Sequence, residues 1–113
     1  LSEHAFFECT SIESITLPES LEHLGGYAFN GCSALSSTTI PSNVTTIGEY
    51  CFANCTALNE VYCQPSTPPT LGNIYAFPEG KMPRIYVPTS SLEAYLQADG
   101  WRRFKTQLEG FDY

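Results

Sequence analysis

A 23-residue step repeats along this chain, and nothing else in the sequence constrains its fold as strongly. Leu1, Leu24 and Ile47 open the step. Phe6, Phe29 and Phe52 follow five residues on, then Cys9, Cys32 and Cys55, then Ile12, Leu35 and Leu58, while Pro18 and Pro41 keep the register. A fixed period of this length marks a solenoid, because one repeat cannot bury its apolar residues alone and stacked repeats bury them together. Each column of like residues then becomes a stripe of core.

The second copy, Leu24 to Thr46, is the most regular. Asn30-Gly31 signals a turn. Cys32, Leu35, Thr38 and Ile40 point inward, and Leu35-x-x-Thr38-x-Ile40 copies Ile12-x-x-Ile15-x-Leu17 and Leu58-x-x-Val61-x-Cys63. The alternation at the end of each copy predicts a short strand with one buried face. Pro41 stops it, since proline has no N–H to donate to a ladder. Val44 and Ile47 serve the return side. Strands of successive coils should stack in parallel, with their outward side chains in ladders.

With 113 residues the chain can form one domain with a real core. It opens without Met and Leu1 already falls inside a repeat, which reads as a piece of a longer protein. Residues 1–80 hold eight acids and no Lys or Arg, whereas 81–113 hold five bases and four acids, for a net charge of −7. An acidic body repels phosphate backbones, so nucleic acid is not expected as a partner. It also serves simply to keep an exposed face soluble. No stretch is apolar enough to span a membrane.

The cysteines read as core. Cys9, Cys32 and Cys55 share a column, Cys51 replaces Ala5 and Ala28, and Cys63 replaces Leu17 and Ile40. Free cysteine behaves as a small buried hydrophobe. Tight Cys-x-x-Cys pairs of the kind zinc sites use do not occur, so neither a metal nor another cofactor is expected. A Cys32–Cys55 bridge between adjacent coils is geometrically conceivable.

The residues Leu24-Gly25, Ala28-Phe29, Cys32, Leu35, Ile40-Pro41 and Val44, repeated as Ile47-Gly48, Phe52, Cys55, Leu58 and Val61, resemble the BspA-type leucine-rich repeat. The match is close over residues 1–64. Thr38 at an inward slot, Cys51 for Ala and Cys63 for Ile depart from the pattern and bear on packing. The resemblance implies a secreted or surface-exposed protein of a Bacteroides-like bacterium, with a role in adhesion to host proteins or other cells. It implies no enzymatic activity. A structural spacer, or an accessory domain of a larger enzyme, would fit the same resemblance.

Residues 65–88 read as a looser fourth repeat. Pro65-Ser66-Thr67-Pro68-Pro69-Thr70 replaces the usual linker, Ala76-Phe77 restores the Ala-Phe pair, and Ile85-Tyr86-Val87-Pro88 is the last strand, with the register slipped to 24 between Val61 and Ile85. The expected architecture is therefore a leucine-rich-repeat solenoid of about four coils over 1–88. Residues 89–113 then form a helical C-terminal cap in which the period has ended. Ser90-Ser91-Leu92-Glu93 reads as a capping box with Ser90 as N-cap. Leu92, Tyr95 and Leu96 share a helical face, Gly100 reads as a stop, and Trp101, Phe104 and Leu108 suggest a second short helix. Physically this is a lid over the exposed end of the core.

No catalytic constellation emerges: no phosphate loop, no Gly-x-Ser-x-Gly and no His-Glu-x-x-His. His4 and His23 read as surface residues. The informative set is the outward ladders, Ser14, Ser37, Glu60, Arg84 and Thr16, Thr39, Tyr62, Tyr86. Small hydroxyl residues give way to a Glu–Arg pair and two tyrosines, a composition typical of recognition surfaces. Glu60, Tyr62, Arg84 and Tyr86 are thus the candidate contact residues for a protein or glycan partner, host extracellular molecules included. The same four residues also make sense as ordinary cross-strand pairs that only stabilise the sheet.

Overall fold

The computed structural model describes residues 8–72, 76–78 and 83–113. The expectations on Leu1, His4, Ala5 and Phe6 lie outside the described residues.

The period is realised as strand pairing. β1 (His23–Leu24), β3 (Thr46–Ile47) and β5 (Thr70–Leu71) form a three-stranded sheet. β2 (Ser37–Ile40), β4 (Glu60–Cys63), β6 (Arg84–Pro88) and β7 (Leu108–Phe111) form a four-stranded one in that order. All pairs are parallel. Ser37 lies opposite Glu60 and His23 opposite Thr46, one 23-residue step apart. The slip to 24 is equally literal, since Glu60 faces Arg84 and Thr46 faces Thr70.

β7 corrects the sequence reading. Leu108 was assigned to a helix and the period was ended at Pro88, but Leu108 pairs with Ile85 and Phe111 with Pro88, again 23 residues on. The cap is therefore only partly helical. A 3₁₀ turn at Thr89–Ser91 leads into α1 (Leu92–Gln97), a second 3₁₀ turn follows at Trp101–Phe104, and the chain then returns to extend the sheet. The capping box is absent: Ser91, not Ser90, precedes α1, and it makes no side-chain cap. Its hydroxyl donates instead to the Ser66 carbonyl at 2.8 Å.

Between the sheets the apolar columns stack as expected. Phe29, Phe52 and Phe77 are buried and stacked with nearly parallel rings, centroids 5.1 and 5.6 Å apart. Backbone bonds run between repeats even through the turns, with Phe29 N–H donating to Cys51 O (2.8 Å), Gly31 N–H to Ala53 O (2.9 Å) and Phe52 N–H to Ala76 O (2.7 Å). The turn residue Gly31 has φ +79°, which glycine adopts without steric penalty. Tyr27 and Tyr50 share a left-handed column at φ +61° and +55°, a conformation that costs a side-chain-bearing residue roughly 1–2 kcal/mol. Their rings stack at 5.1 Å. Gly48 is demanded by close approach, because a Cβ there would sit 2.2 Å from the Gly26 nitrogen.

The lid closes the core as expected. Tyr95, Trp101 and Phe104 are buried, and Phe77 extends the phenylalanine column onto Trp101 (5.7 Å) and Phe104 (5.4 Å). The lid also explains the proline-rich linker. Tyr95 Oη donates to Pro65 O (2.6 Å), Ser91 Oγ to Ser66 O, and Trp101 Nε1 to Pro69 O (2.7 Å). Elsewhere such carbonyls take an N–H from the next repeat, as Ile40 O does from Gln64. Here the cap's side chains take over that task, so the carbonyls of the buried Pro65 and Pro69 stay satisfied.

All five cysteines are free. Cys32, Cys51, Cys55 and Cys63 are buried, whereas Cys9 is only half-buried, short of the full burial its column predicts. Cys55 Sγ donates to the Phe29 carbonyl at 3.0 Å, and Cys63 Sγ lies 3.5 Å from Tyr95 Oη. Desolvation pushes the thiols of Cys51, Cys55 and Cys63 up to about 12. Thr38 occupies its inward slot buried and with its hydroxyl unpartnered.

Candidate recognition surface

Strand alternation puts Thr39, Tyr62 and Tyr86 on the outward face of the four-stranded sheet, and the register sets Tyr62 directly beside Tyr86. The two rings stack at 5.0 Å with 16° between their planes. The sequence-predicted pair is therefore brought together. β7 adds what the ladders omitted. Phe111 meets Tyr62 and Tyr86 edge-on, at 5.5 and 5.6 Å, and Tyr113 follows 4.9 Å from Phe111. Phe111 and Tyr113 are the exposed large apolar residues of the described structure, at 40% and 51%. Four rings thus form one continuous outward cluster. Phe111 was detectable from sequence, since it stands 23 residues after Pro88. Reading residues 101–108 as helix concealed it.

Tyr113 is anchored. The pairing of β4 with β6 ends at Tyr62–Tyr86, one residue before β4 itself ends. There the Tyr113 hydroxyl donates to the Tyr86 carbonyl at 2.6 Å. Desolvation raises its pKa, with Cys63 and Tyr62 adding to the shift. The tail is thereby pinned across the end of the strand pair.

The charge pair is rearranged. Arg84 stands opposite Glu60 in the register, yet its guanidinium bonds Glu109 of β7 at 2.5 Å. Glu60 interacts within its own strand instead. The Tyr62 hydroxyl titrates above its ordinary value, through desolvation first, then the Glu60 charge, the nearby Tyr86 and a hydrogen bond to Glu60. Both partners of the Arg84–Glu109 bridge are about half exposed, so it orients side chains more than it stabilises the fold.

Beside the ring cluster lies an open groove of about 470 Å³ lined by Gln64, Pro88, Thr89, Ser90, Phe111, Asp112 and Tyr113. Thr89 Oγ1 donates to Asp112 Oδ1 at 2.7 Å, which fixes one wall. The lining combines two aromatic rings with an amide, hydroxyls and one carboxylate. His23, as read from sequence, is exposed, with Nδ1 2.7 Å from Thr46 Oγ1. Among the described residues no three of His, Cys, Asp and Glu gather where they could hold a metal ion. Nor is any helix there long and apolar enough to cross a membrane.

The family model for the BspA type Leucine rich repeat region matches residues 1–96, in six copies. This chain belongs to the BspA-type leucine-rich repeat family. The match runs past the regular copies, through β6 and into α1. No curated protein matches the chain. As in the sequence reading, the BspA-type columns of Phe, Cys, Leu and Ile form the core. The outward positions carry Tyr62, Tyr86 and Arg84, joined by the tail residues Glu109, Phe111 and Tyr113.

Proposed function

We propose that this chain is a non-enzymatic recognition module, a short solenoid of a secreted or cell-surface bacterial protein. Its partner is a protein or a glycan met outside the cell. In this reading residues 1–88 make about four coils and residues 89–113 close them. The family association with bacterial surface proteins favours the location. The four-ring cluster on the outer sheet face is the observation that carries the function. Aromatic side chains add large contact area with little entropy to lose, which is why they dominate binding hot spots. A sheet that only needed stability could keep the Ser and Thr ladders of the earlier strands, which carry Ser37 and Thr39 at the same positions.

The acidic body excludes nucleic acid from this proposal, and no cofactor, metal or catalytic group enters it. The test begins with a screen of extracellular proteins and glycans against the fragment. For any partner found, the Tyr62→Ala, Tyr86→Ala double variant should keep its fold and lose about 2 kcal/mol or more of binding. Undiminished binding would move the site away from this face.

A further inference from the structure

We propose that the groove beside the ring cluster is a binding site for a neutral glycan, with a sugar ring seated on Phe111 and Tyr113. This rests on the recognition reading above and gives it a ligand class.

Three observations carry it. The first is composition. The groove pairs two partly exposed rings with Gln64, Ser90, Thr89 and Asp112. A pyranose has the matching duality: one face of polarised C–H bonds, which an aromatic ring's negative face attracts, and a periphery of hydroxyls that both donate and accept. An amide, two hydroxyls and a carboxylate suit that periphery. The second is charge. Among the described residues no Lys or Arg lines the groove, and Arg84, at the opposite end of β6, is bound to Glu109. The chain as a whole carries −7. A sulfated or sialylated sugar would meet repulsion without a compensating cation, whereas a neutral one meets none. The third is shape. The volume of about 470 Å³ lies within the usual ~300–1,000 Å³ of ligand sites, yet the groove is open to solvent. An open groove accepts a chain that continues past it, as an oligosaccharide does.

The site is also held ready. Tyr113 is tied to the Tyr86 carbonyl, Asp112 to Thr89, and Phe111 rests edge-on against Tyr62 and Tyr86. Little order remains to be imposed on binding, which favours affinity. The repeats thus supply the platform and the tail supplies the contacts.

The test uses immobilised neutral oligosaccharides of galactose, glucose and N-acetylglucosamine, with sulfated and sialylated counterparts alongside, followed by titration calorimetry on hits. At least one neutral glycan should bind. Phe111→Ala and Gln64→Ala should each weaken it fivefold or more with unchanged thermal midpoints. Tyr113→Phe, which keeps the ring and frees it from Tyr86, should weaken it less than Tyr113→Ala. Saturation-transfer NMR with aromatic irradiation should reach the sugar C–H protons. Binding confined to charged glycans, neutral binding indifferent to Phe111→Ala, or no glycan binding at all would overturn the proposal. A protein partner lost on mutating Tyr62 and Tyr86, with no glycan bound, would sink this inference and leave the recognition reading standing.

Discussion

Replacing Trp101 by alanine tests whether the cap is part of the folding unit. Trp101 is fully buried, with its ring centroid 5.0 Å from Tyr95, 5.7 Å from Phe77 and 6.5 Å from Phe104. Truncating a buried aromatic to alanine costs about 3–5 kcal/mol, from lost transfer energy and the cavity left behind. The Pro69 carbonyl also loses its indole donor. An orphaned buried acceptor costs a further ~1–3 kcal/mol, and a water entering the new space recovers part of it. The sum is about 4–6 kcal/mol, a large share of the ~5–15 kcal/mol that holds a domain folded. Trp101→Phe isolates the polar share, because it keeps a ring and drops the N–H, and about 2 kcal/mol should go. The assay is urea unfolding followed by far-UV circular dichroism, since the chain's one tryptophan is the residue removed. With a slope of ~1–3 kcal/mol per molar, the alanine midpoint should fall by at least about 1.3 M. A midpoint within about 0.5 M of the parent would refute the lid, leaving residues 89–113 an appendage to a core that closes without them.

The buried thiols make stability pH-dependent at the alkaline end. Cys51, Cys55 and Cys63 are raised from 9.0 to about 12, so above pH 9 the unfolded chain releases protons that the folded chain keeps. Urea midpoints should hold below pH 9 and fall as pH climbs toward 12, and a flat profile across that window would contradict the burial. Under native conditions a thiol reagent should modify the half-buried Cys9 first, and all five should react after denaturation without reductant. Thr38→Val should raise stability by about 1 kcal/mol by removing a buried hydroxyl that has no partner, checked by the same urea assay.

Much of this was legible in the columns. The strand faces of Ser37–Ile40 and Glu60–Cys63, the 24-residue slip and the burial of the phenylalanine stripe follow from periodicity, since stacking identical turns leaves each column one environment. Legibility failed where identity changed while position did not. Leu108 sits 23 residues after Ile85, in the inward column of Val61 and Thr38, yet Trp101, Phe104 and Leu108 also satisfy a helical spacing, and short apolar runs do not discriminate between the two. The Ser90–Glu93 pattern misled for a different reason. The pattern points to Ser90 as the cap, but Ser91 precedes α1, and a serine that caps a helix looks in sequence like one that, as Ser91 does, donates to the distant Ser66 carbonyl. Arg84 changed partner because β7 brought Glu109 within reach, a tertiary consequence of the same missed strand.

The recognition surface and the end of the repeat are consequences of one another. On β2 the outward residues are the small hydroxyl residues Ser37 and Thr39, beside Glu60 and Tyr62 of β4. After β6 the regular repeat gives way to α1, the turn at Trp101–Phe104 and β7, which cover the core and extend the sheet. α1 and the turn carrying Trp101 and Phe104 do the first, and β7 does the second. Finishing the sheet at a 23-residue offset puts Phe111 beside Pro88, next to the stacked tyrosines, and lets Tyr113 reach back to the Tyr86 carbonyl. An aromatic cluster with an adjoining groove then forms at the one place where the repeat's constraint on outward residues is relaxed. In a repeat of this kind the terminal strands are free to diverge without disturbing the stack, so a partner-specific surface is best sought there.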